Sequence, residues 1–405
     1  MSNADIDAAA NILLVDFEAE EESPIIFLRI RKQVRRRGLN VAAVAPFLSR
    51  GAEKLSATLY HSIAEAESVL TDKSLILVGE RAVLTPGLLS KVAQLAATTG
   101  AKLAWVPRRA GERGAIEAGA IGNLLPLGRP VSDAKARVDI AAAWGVASLP
   151  AESGLDTDEI LNSAATGRIG ALLVAGVDPF DLADPTKALA ALDSAFVVAL
   201  ELRESEVTKR ADVVFPVASV TEKPGTFLNW EGRARGFDQV LKDSTRIDDL
   251  RVLSMLADAL DAPIGLGNAL AAKRELDSLG VWDGERTTAP TQALAASPTP
   301  ASGEAVLVSW RMLLDLGSLQ DGEAALAGTA RKAIARVSAE TADEIGICDG
   351  GVIKVSTAQG TIHLPLEVTQ MPNRMVWLPE NSEGSQIRRA LGVTSGALVR
   401  IGGGA

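Results

Sequence analysis

Three stretches of the chain set glycines beside carboxylate or carboxamide side chains at spacings that could hold a polar ligand. In Gly176-Val177-Asp178-Pro179 the glycine permits close backbone approach, and Asp178 can accept hydrogen bonds from a base or ribose. An ordinary strand-to-helix turn accounts for the same residues. Between Thr221 and Arg233, the residues Gly225, Thr226, Asn229, Glu231 and Arg233 gather amide and carboxylate groups suited to reading a polar heterocycle. The alternative there is a hairpin in which Asn229 and Gly232 only shape turns. The third stretch, Asp16-Phe17-Glu18-Ala19-Glu20-Glu21-Glu22, would disfavour a pyrophosphate: two like charges ~5 Å apart repel by about 1 kcal/mol in bulk water and several-fold more when partly buried. The preferred reading is a solvated loop whose last carboxylates favour the N-terminus of the next helix.

Other reactive side chains are sparse. His61 and His363 lie far apart without a Cys or His companion, so no metal site or Ser-His pair is expected. The lone Cys348 rules out a disulfide framework, a multi-thiolate zinc site and a four-thiolate iron–sulfur cluster, and reads as a small buried apolar residue. No catalytic or metal-ligating residue is therefore expected. The basic run Arg29 to Arg37 lies toward a helix C-terminus, where positive charge is favourable, and reads as a solvated or subunit-facing helix. Lys and Arg total 41 against 51 Asp and Glu, and the net charge of −10 disfavours nucleic acid or an anionic lipid surface. Apolar runs fall far short of the ~18 residues that span a bilayer, so no direct membrane insertion is expected.

The elements that must position these residues read as α/β. Unbroken apolar runs at Ile12–Phe17, Asn40–Ala45, Leu75–Gly79 and Lys102–Val106 are expected as parallel strands buried on both faces, joined by crossover helices. Ser23-Pro24 and Gly38 bound a helix over Pro24–Arg37. A second set follows, with helices at Thr157–Thr166, Thr186–Leu192 and Glu204–Arg210 and strands at Ala171–Ala175, Phe196–Leu200 and Val213–Phe215. Helices are expected at Asp248–Ala262 and Ala269–Leu279. Residues 289–304, rich in Pro, Ala and Ser, read as a linker or long surface loop. Beyond it come helical Ala305–Leu316 and Gly322–Ala330, then short strands at Ile345–Ile347, Val352–Ser356, Thr361–Val368 and Met375–Leu378, which suggest a small barrel. The expected regions are 1–125, 126–288, the linker 289–304 and 305–405. The abrupt start, with Asn11 opening a strand, is also what a C-terminal portion of a longer protein would show.

Leu172-Leu-Val-Ala-Gly176-Val-Asp178-Pro179, Ala211-Asp-Val-Val-Phe-Pro216 and Glu222-Lys-Pro-Gly225-Thr226-Phe-Leu-Asn229-Trp-Glu231-Gly232-Arg233 together resemble the molybdopterin oxidoreductase family in order and spacing. Ala342 to Gly360 is similar to that family's C-terminal dinucleotide-binding domain. Within the family, Glu20 to Lys32 and Gly51 to Leu55 look like the large iron–sulfur subunit of respiratory NADH:quinone oxidoreductases. The resemblance covers about residues 10 to 400.

It implies Rossmann-like domains followed by a β-barrel, with Gly176, Asp178, Gly225, Thr226, Asn229, Glu231 and Arg233 along one side of a molybdopterin-type dinucleotide cofactor. It also implies that iron–sulfur clusters belong to Cys-rich domains upstream, outside these residues, as does the segment bearing any metal ligand. Asp16 stands where catalytic members carry glycine. The expectation is thus a vestigial pocket, no cofactor in this chain, and a structural role beside the other peripheral-arm subunits. That places it in the cytoplasm, on the inner face of the cell membrane through the complex. Two readings stay open: a fragment of an active molybdenum enzyme such as a formate dehydrogenase, and a binding protein taking a nucleotide at the Gly176 and Asn229 clefts.

Overall fold

The computed structural model describes residues 1–288 and 291–404. The chain divides into two units, one made of residues 1–108 and 289–405 and the other of 109–288.

The first unit begins with α1 (Asn3–Ala8), β1 (Asn11–Val15), α2 (Ala19–Glu22), α3 (Pro24–Arg37), β2 (Asn40–Val44), α4 (Arg50–Lys54), β3 (Thr58–Tyr60), β4 (Ser74–Val78), α5 (Leu88–Thr99) and β5 (Lys102–Trp105). Its strands form one parallel sheet in the order β3-β2-β1-β4-β5. The central strands β1 and β4 are apolar without alternation because both faces are covered: Leu13, Val15, Ile76 and Leu77 are fully buried. Pro24 opens α3 and Gly38 ends it at φ +67, its N–H returning to the Val34 carbonyl at 3.1 Å. The basic run on α3 does more than face solvent. Arg29 pairs with Asp7, Gln33 donates to Asp7 at 2.6 Å, and Arg37 donates to the Ala9 carbonyl at 2.7 Å, so α3 clamps α1.

The second unit holds α6 (Glu112–Glu117), β6 (Leu124–Leu125), β7 (Arg129–Pro130), α7 (Ala134–Trp144), α8 (Thr157–Ala165), β8 (Ala171–Ala175), α9 (Pro185–Ser194), β9 (Phe196–Glu201), β10 (Val213–Pro216), β11 (Gly225–Leu228), β12 (Ala234–Phe237), α10 (Asp249–Ala259) and α11 (Ala269–Ser278). Strands β10-β9-β8 form a parallel sheet, and β11-β12 an antiparallel hairpin. One face of the sheet buries Leu192, Val197, Ala199 and Val207. The division between the units falls at 108 rather than 125 because α6 packs on β11 of this hairpin. The helix expected at Glu204–Arg210 is a set of turns. The Ser205 N–H donates to Thr208 Oγ1 at 2.7 Å, and such side-chain bonds compete with helical ones. Buried Arg129 donates to the Leu279 carbonyl at 2.7 Å and the Gly280 carbonyl at 3.3 Å, just past the end of α11.

The linker expectation at 289 and 290 lies outside the described residues. Farther along, the Ala295 N–H donates to the Pro86 carbonyl at 2.9 Å, so this stretch is tied to the first unit. The chain then forms β13 (Glu304–Trp310), α12 (Ala324–Ala327), β14 (Ala335–Val337), α13 (Ala339–Glu344), β15 (Val352–Ser356), β16 (Thr361–Val368), β17 (Met375–Pro379), β18 (Asn381–Ser382), β19 (Ser385–Gln386), α14 (Ile387–Leu391) and β20 (Leu398–Gly403). Six strands close a barrel in the order β13-β17-β14-β16-β15-β20. Of the expected helix Ala305–Leu316, the residues to Trp310 belong instead to β13, whose valines and tryptophan suit a strand that sends Ala305 and Leu307 into the barrel core, and residues 311–316 are irregular, with bends at 313–316. Of Gly322–Ala330 only the single turn α12 is helical. The strand expected at Ile345–Ile347 is the turn that ends α13 at Gly346, φ +69, though both isoleucines still pack on the core. Beside the barrel, Phe47, Trp310 and Trp377 meet with ring centroids 4.8 to 5.8 Å apart, and the Arg336 guanidinium lies 5.4 Å from the Phe47 ring.

Candidate functional site

In an open parallel sheet, ligands collect beyond the carboxyl ends of the strands where the strand order reverses. In the first unit that point lies between β1 and β4, flanked by Asp16 and Gly79. Asp16 holds φ +45, a left-handed conformation that a short polar residue tolerates. Gly79 presses against it: a Cβ there would stand 2.1 Å from the Asp16 carbonyl oxygen. Two residues on, Arg81 fills the crevice. Its Nε donates to Glu22 Oε1 at 3.1 Å, its Nη1 lies 3.9 Å from Asp16 Oδ1, and its guanidinium sits 5.4 Å from the Trp310 ring. Glu18 accepts a hydrogen bond from Ser49 Oγ at 2.5 Å.

The acidic stretch is therefore not a solvated loop. Glu18 is 6 % exposed and the Glu22 side chain 4 %. Phe17 and Ala19 are buried as well and turn the segment inward, while Arg81 offsets part of its charge. Glu20 pairs with Lys54 on α4, and Glu21 with Arg331 at 2.6 Å. Burial pushes the Glu18 and Glu22 carboxyls up to about 7, with Arg81 pulling the other way. Burial raises Asp16 too. Burial works against the Arg81 charge, but Glu22, Asp16 and Glu18 more than offset it, so Arg81 stays firmly protonated. The sequence shows the carboxylates but not their partner. The available signal was an arginine just past a buried strand on the far side of the reversal point.

Beside this cluster the first unit carries a cleft of about 510 Å³, a size suited to a small ligand. Phe47, Trp310 and Trp377 form its aromatic wall. Its cations, Arg50, Arg331, Lys332 and Arg336, face the carboxylates Glu21, Glu53 and Glu367. Arg331 is held by Glu21, and Arg336 by Glu367 and the aromatic rings. A pyranopterin dinucleotide, with its pyrophosphate, does not fit this end of the sheet: the crevice is filled by protein, its one cation is already engaged by Glu22 and Asp16, and the neighbouring cleft is close to charge-balanced.

The seven residues singled out as cofactor contacts all lie in the second unit, in two local structures. Gly176 and Asp178 follow the edge strand β8, and Asp178 Oδ1 accepts from the Phe180 N–H at 3.0 Å, closing a turn. The other five belong to the β11-β12 hairpin. Asn229 Oδ1 accepts from the N–H groups of Glu231 at 3.0 Å and Arg233 at 2.9 Å, and its Nδ2 donates to Glu231 at 2.9 Å. The Asn229 carboxamide is thus engaged in shaping the turn. Gly225 lies against the Phe237 ring, which stacks on Phe227 with centroids 5.0 Å apart. Thr226 and Arg233 are exposed. Cys348, expected to be buried, is also exposed, in the turn between α13 and β15. His61 and His363 are both exposed.

A family model described as molybdopterin oxidoreductase matches residues 1–257. The G subunit of NADH-quinone oxidoreductase from Mycobacterium tuberculosis (strain CDC 1551 / Oshkosh) is 51 % identical over 100 % of this chain and 52 % of its own length. The G subunit of the same oxidoreductase from Streptomyces coelicolor is 50 % identical over 98 % of this chain and 50 % of its own. The chain spans about half the length of these curated relatives and matches a C-terminal portion of them. Among solved structures, acetylene hydratase from Pelobacter acetylenicus shares the fold with a TM-score of 0.54 at 13 % identity, over 98 % of this chain and 78 % of that one.

Proposed function

The chain belongs to the molybdopterin oxidoreductase family, and from that membership we propose that it works as the C-terminal half of an NADH-quinone oxidoreductase subunit whose old cofactor site has been turned into packing. Similarity to the G subunits of that oxidoreductase along the whole chain supports the assignment. The observation that carries the structural role is the crevice between β1 and β4. There Arg81 and the carboxylates of Asp16, Glu18 and Glu22 occupy the space where a ligand of this fold class would lie.

In this reading the chain transfers no electron itself. Redox clusters belong to the part of the protein outside these residues, and this chain excludes water and oxygen from them while contacting the neighbouring subunits of the peripheral arm. It reaches the inner face of the cell membrane only through that assembly; among the described residues no helix is long and apolar enough to cross a membrane. Gly176, Asp178, Asn229, Glu231 and Arg233 then keep the family's pattern as residues of two turns, and Gly225 and Thr226 as residues of the strand β11. Metal analysis and pterin fluorescence on the full-length native protein test this. The expected result is neither molybdenum nor tungsten nor pterin, and stoichiometric metal with pterin would overturn it.

A further inference from the structure

The basic helix α3 has a face that the fold leaves unused. Its 14 residues hold six cations and no carboxylate, in a chain whose net charge is −10. Ile26, Phe27, Ile30 and Gln33 are buried, while Arg29 and Arg37 turn back to clamp α1. The opposite face runs Ile25, Leu28, Lys32, Arg35 and Arg36. At about 100° per residue these five fall within an arc of about 100°, along roughly 16 Å of helix. Ile25 is 71 % exposed and Leu28 54 %, and the three cations are exposed with no side-chain partner among the described residues. The helix itself does not call for this pattern. The macrodipole favours Arg35 and Arg36 in the last turn, but its effect has faded at Lys32. Arg31 with Arg35, and Lys32 with Arg36, are like-charge pairs four residues apart, which repel; an ordinary solvated face would interleave acids with these bases.

On the basis of the function proposed above, we infer that this face docks a neighbouring subunit of the oxidoreductase, one that sets an apolar patch on Ile25 and Leu28 and carboxylates on Lys32, Arg35 and Arg36. Three features select that partner. The stripe is aliphatic at its amino end and cationic at its carboxyl end, so it does not complement itself. A second copy laid antiparallel would set aliphatic groups on cations, and one laid parallel would set cations on cations. A lipid surface takes up the apolar face of a helix, and that face of α3 is committed to the core, while the net charge of −10 opposes an anionic bilayer. The stripe is also short. A stable pair of free proteins buries roughly 1,200–2,000 Å² in total, so five side chains make one contact within a larger assembly rather than a complex by themselves.

The test is made on the full-length protein purified together with its partner subunits. A photo-crosslinker at Leu28 should capture an identified peptide of another subunit, rich in Asp and Glu. Lys32→Glu/Arg35→Glu/Arg36→Glu should lower that yield about tenfold, and Arg35→Gln/Arg36→Gln, which removes charge without reversing it, should lower it less. Amide exchange of α3 in the unassembled variants should match that of the unsubstituted protein. No capture, capture only of this polypeptide or a second copy, or capture of a segment without carboxylates would overturn the inference. So would a yield that the triple variant leaves unchanged, or binding of the full-length protein to phosphatidylglycerol vesicles that the triple variant abolishes. Each of those results leaves the proposed function standing, whereas a preparation that holds no other subunit overturns both.

Discussion

Replacing Glu18 and Glu22 together by glutamine should remove a pH dependence that the crevice builds into the first unit. Both carboxyls titrate near 7 in the folded chain against an ordinary 4.5, so the folded state binds protons more tightly than the unfolded one. The resulting stabilisation is complete below pH 4.5 and is lost as pH rises through 7. For a single group the linkage relation gives a loss of about 2–3 kcal/mol between pH 5 and 8. The two share Arg81, so their joint loss exceeds that of one group and falls short of about twice it. Asp16 shifts in the same direction and adds to it. Asp5 and Glu222, held near 2 by hydrogen bonds, titrate below this window. Urea unfolding followed by pulsed hydrogen exchange on β1 and β4 reads the first unit directly. The unsubstituted chain should weaken steadily from pH 5 to 8, while Glu18→Gln/Glu22→Gln keeps only the smaller dependence that Asp16 supplies and becomes the more stable of the two at pH 8. Stability of the unsubstituted chain that is level or rising over that range would refute the reasoning.

Gly79→Ala would drive a methyl group into the Asp16 backbone and should cost about 3 kcal/mol, read as a lower urea midpoint for the first unit. Phe47→Ala removes the ring that touches both Trp310 and Trp377 and should cost about 3–5 kcal/mol, with the tryptophan fluorescence of the folded state shifting to the red. Asn229→Ala strips two backbone amides of their acceptor; a loss of about 1–2 kcal/mol in the β11-β12 hairpin should show as faster proteolysis near residues 229–233.

The parallel sheet of the first unit was legible because its strands are short, apolar and bounded by turn residues, and α3 because serine, proline and glycine mark its ends. Three residues were too few for β3 and β14 to show a pattern. β13 was misread as helix because its run of small and aliphatic residues suits either state until the barrel supplies partners on both sides. The hairpin over Gly225 to Phe237 was legible as one of two readings, and Asn229 proved to be committed to its turn. The crevice was legible only by half. A string of acidic residues looks solvated unless its cation is known, and Arg81 stands 59 residues from Glu22 in sequence. The family pattern pointed to the second unit, whereas the buried cluster of three carboxyls around Arg81 lies in the first.

The first unit is discontinuous, and its barrel closes only when β20 pairs with both β13 and β15. On a ribosome, then, Phe47 emerges about 260 residues before Trp310 and about 330 before Trp377, a wait of roughly 10–60 s at ordinary elongation rates. The second unit is continuous in sequence and can be synthesised whole within that interval. Until the barrel strands follow, Phe47 beside the nascent sheet β3-β2-β1-β4-β5 lacks both tryptophan partners, and a stop codon placed before Leu398 would leave the barrel itself open.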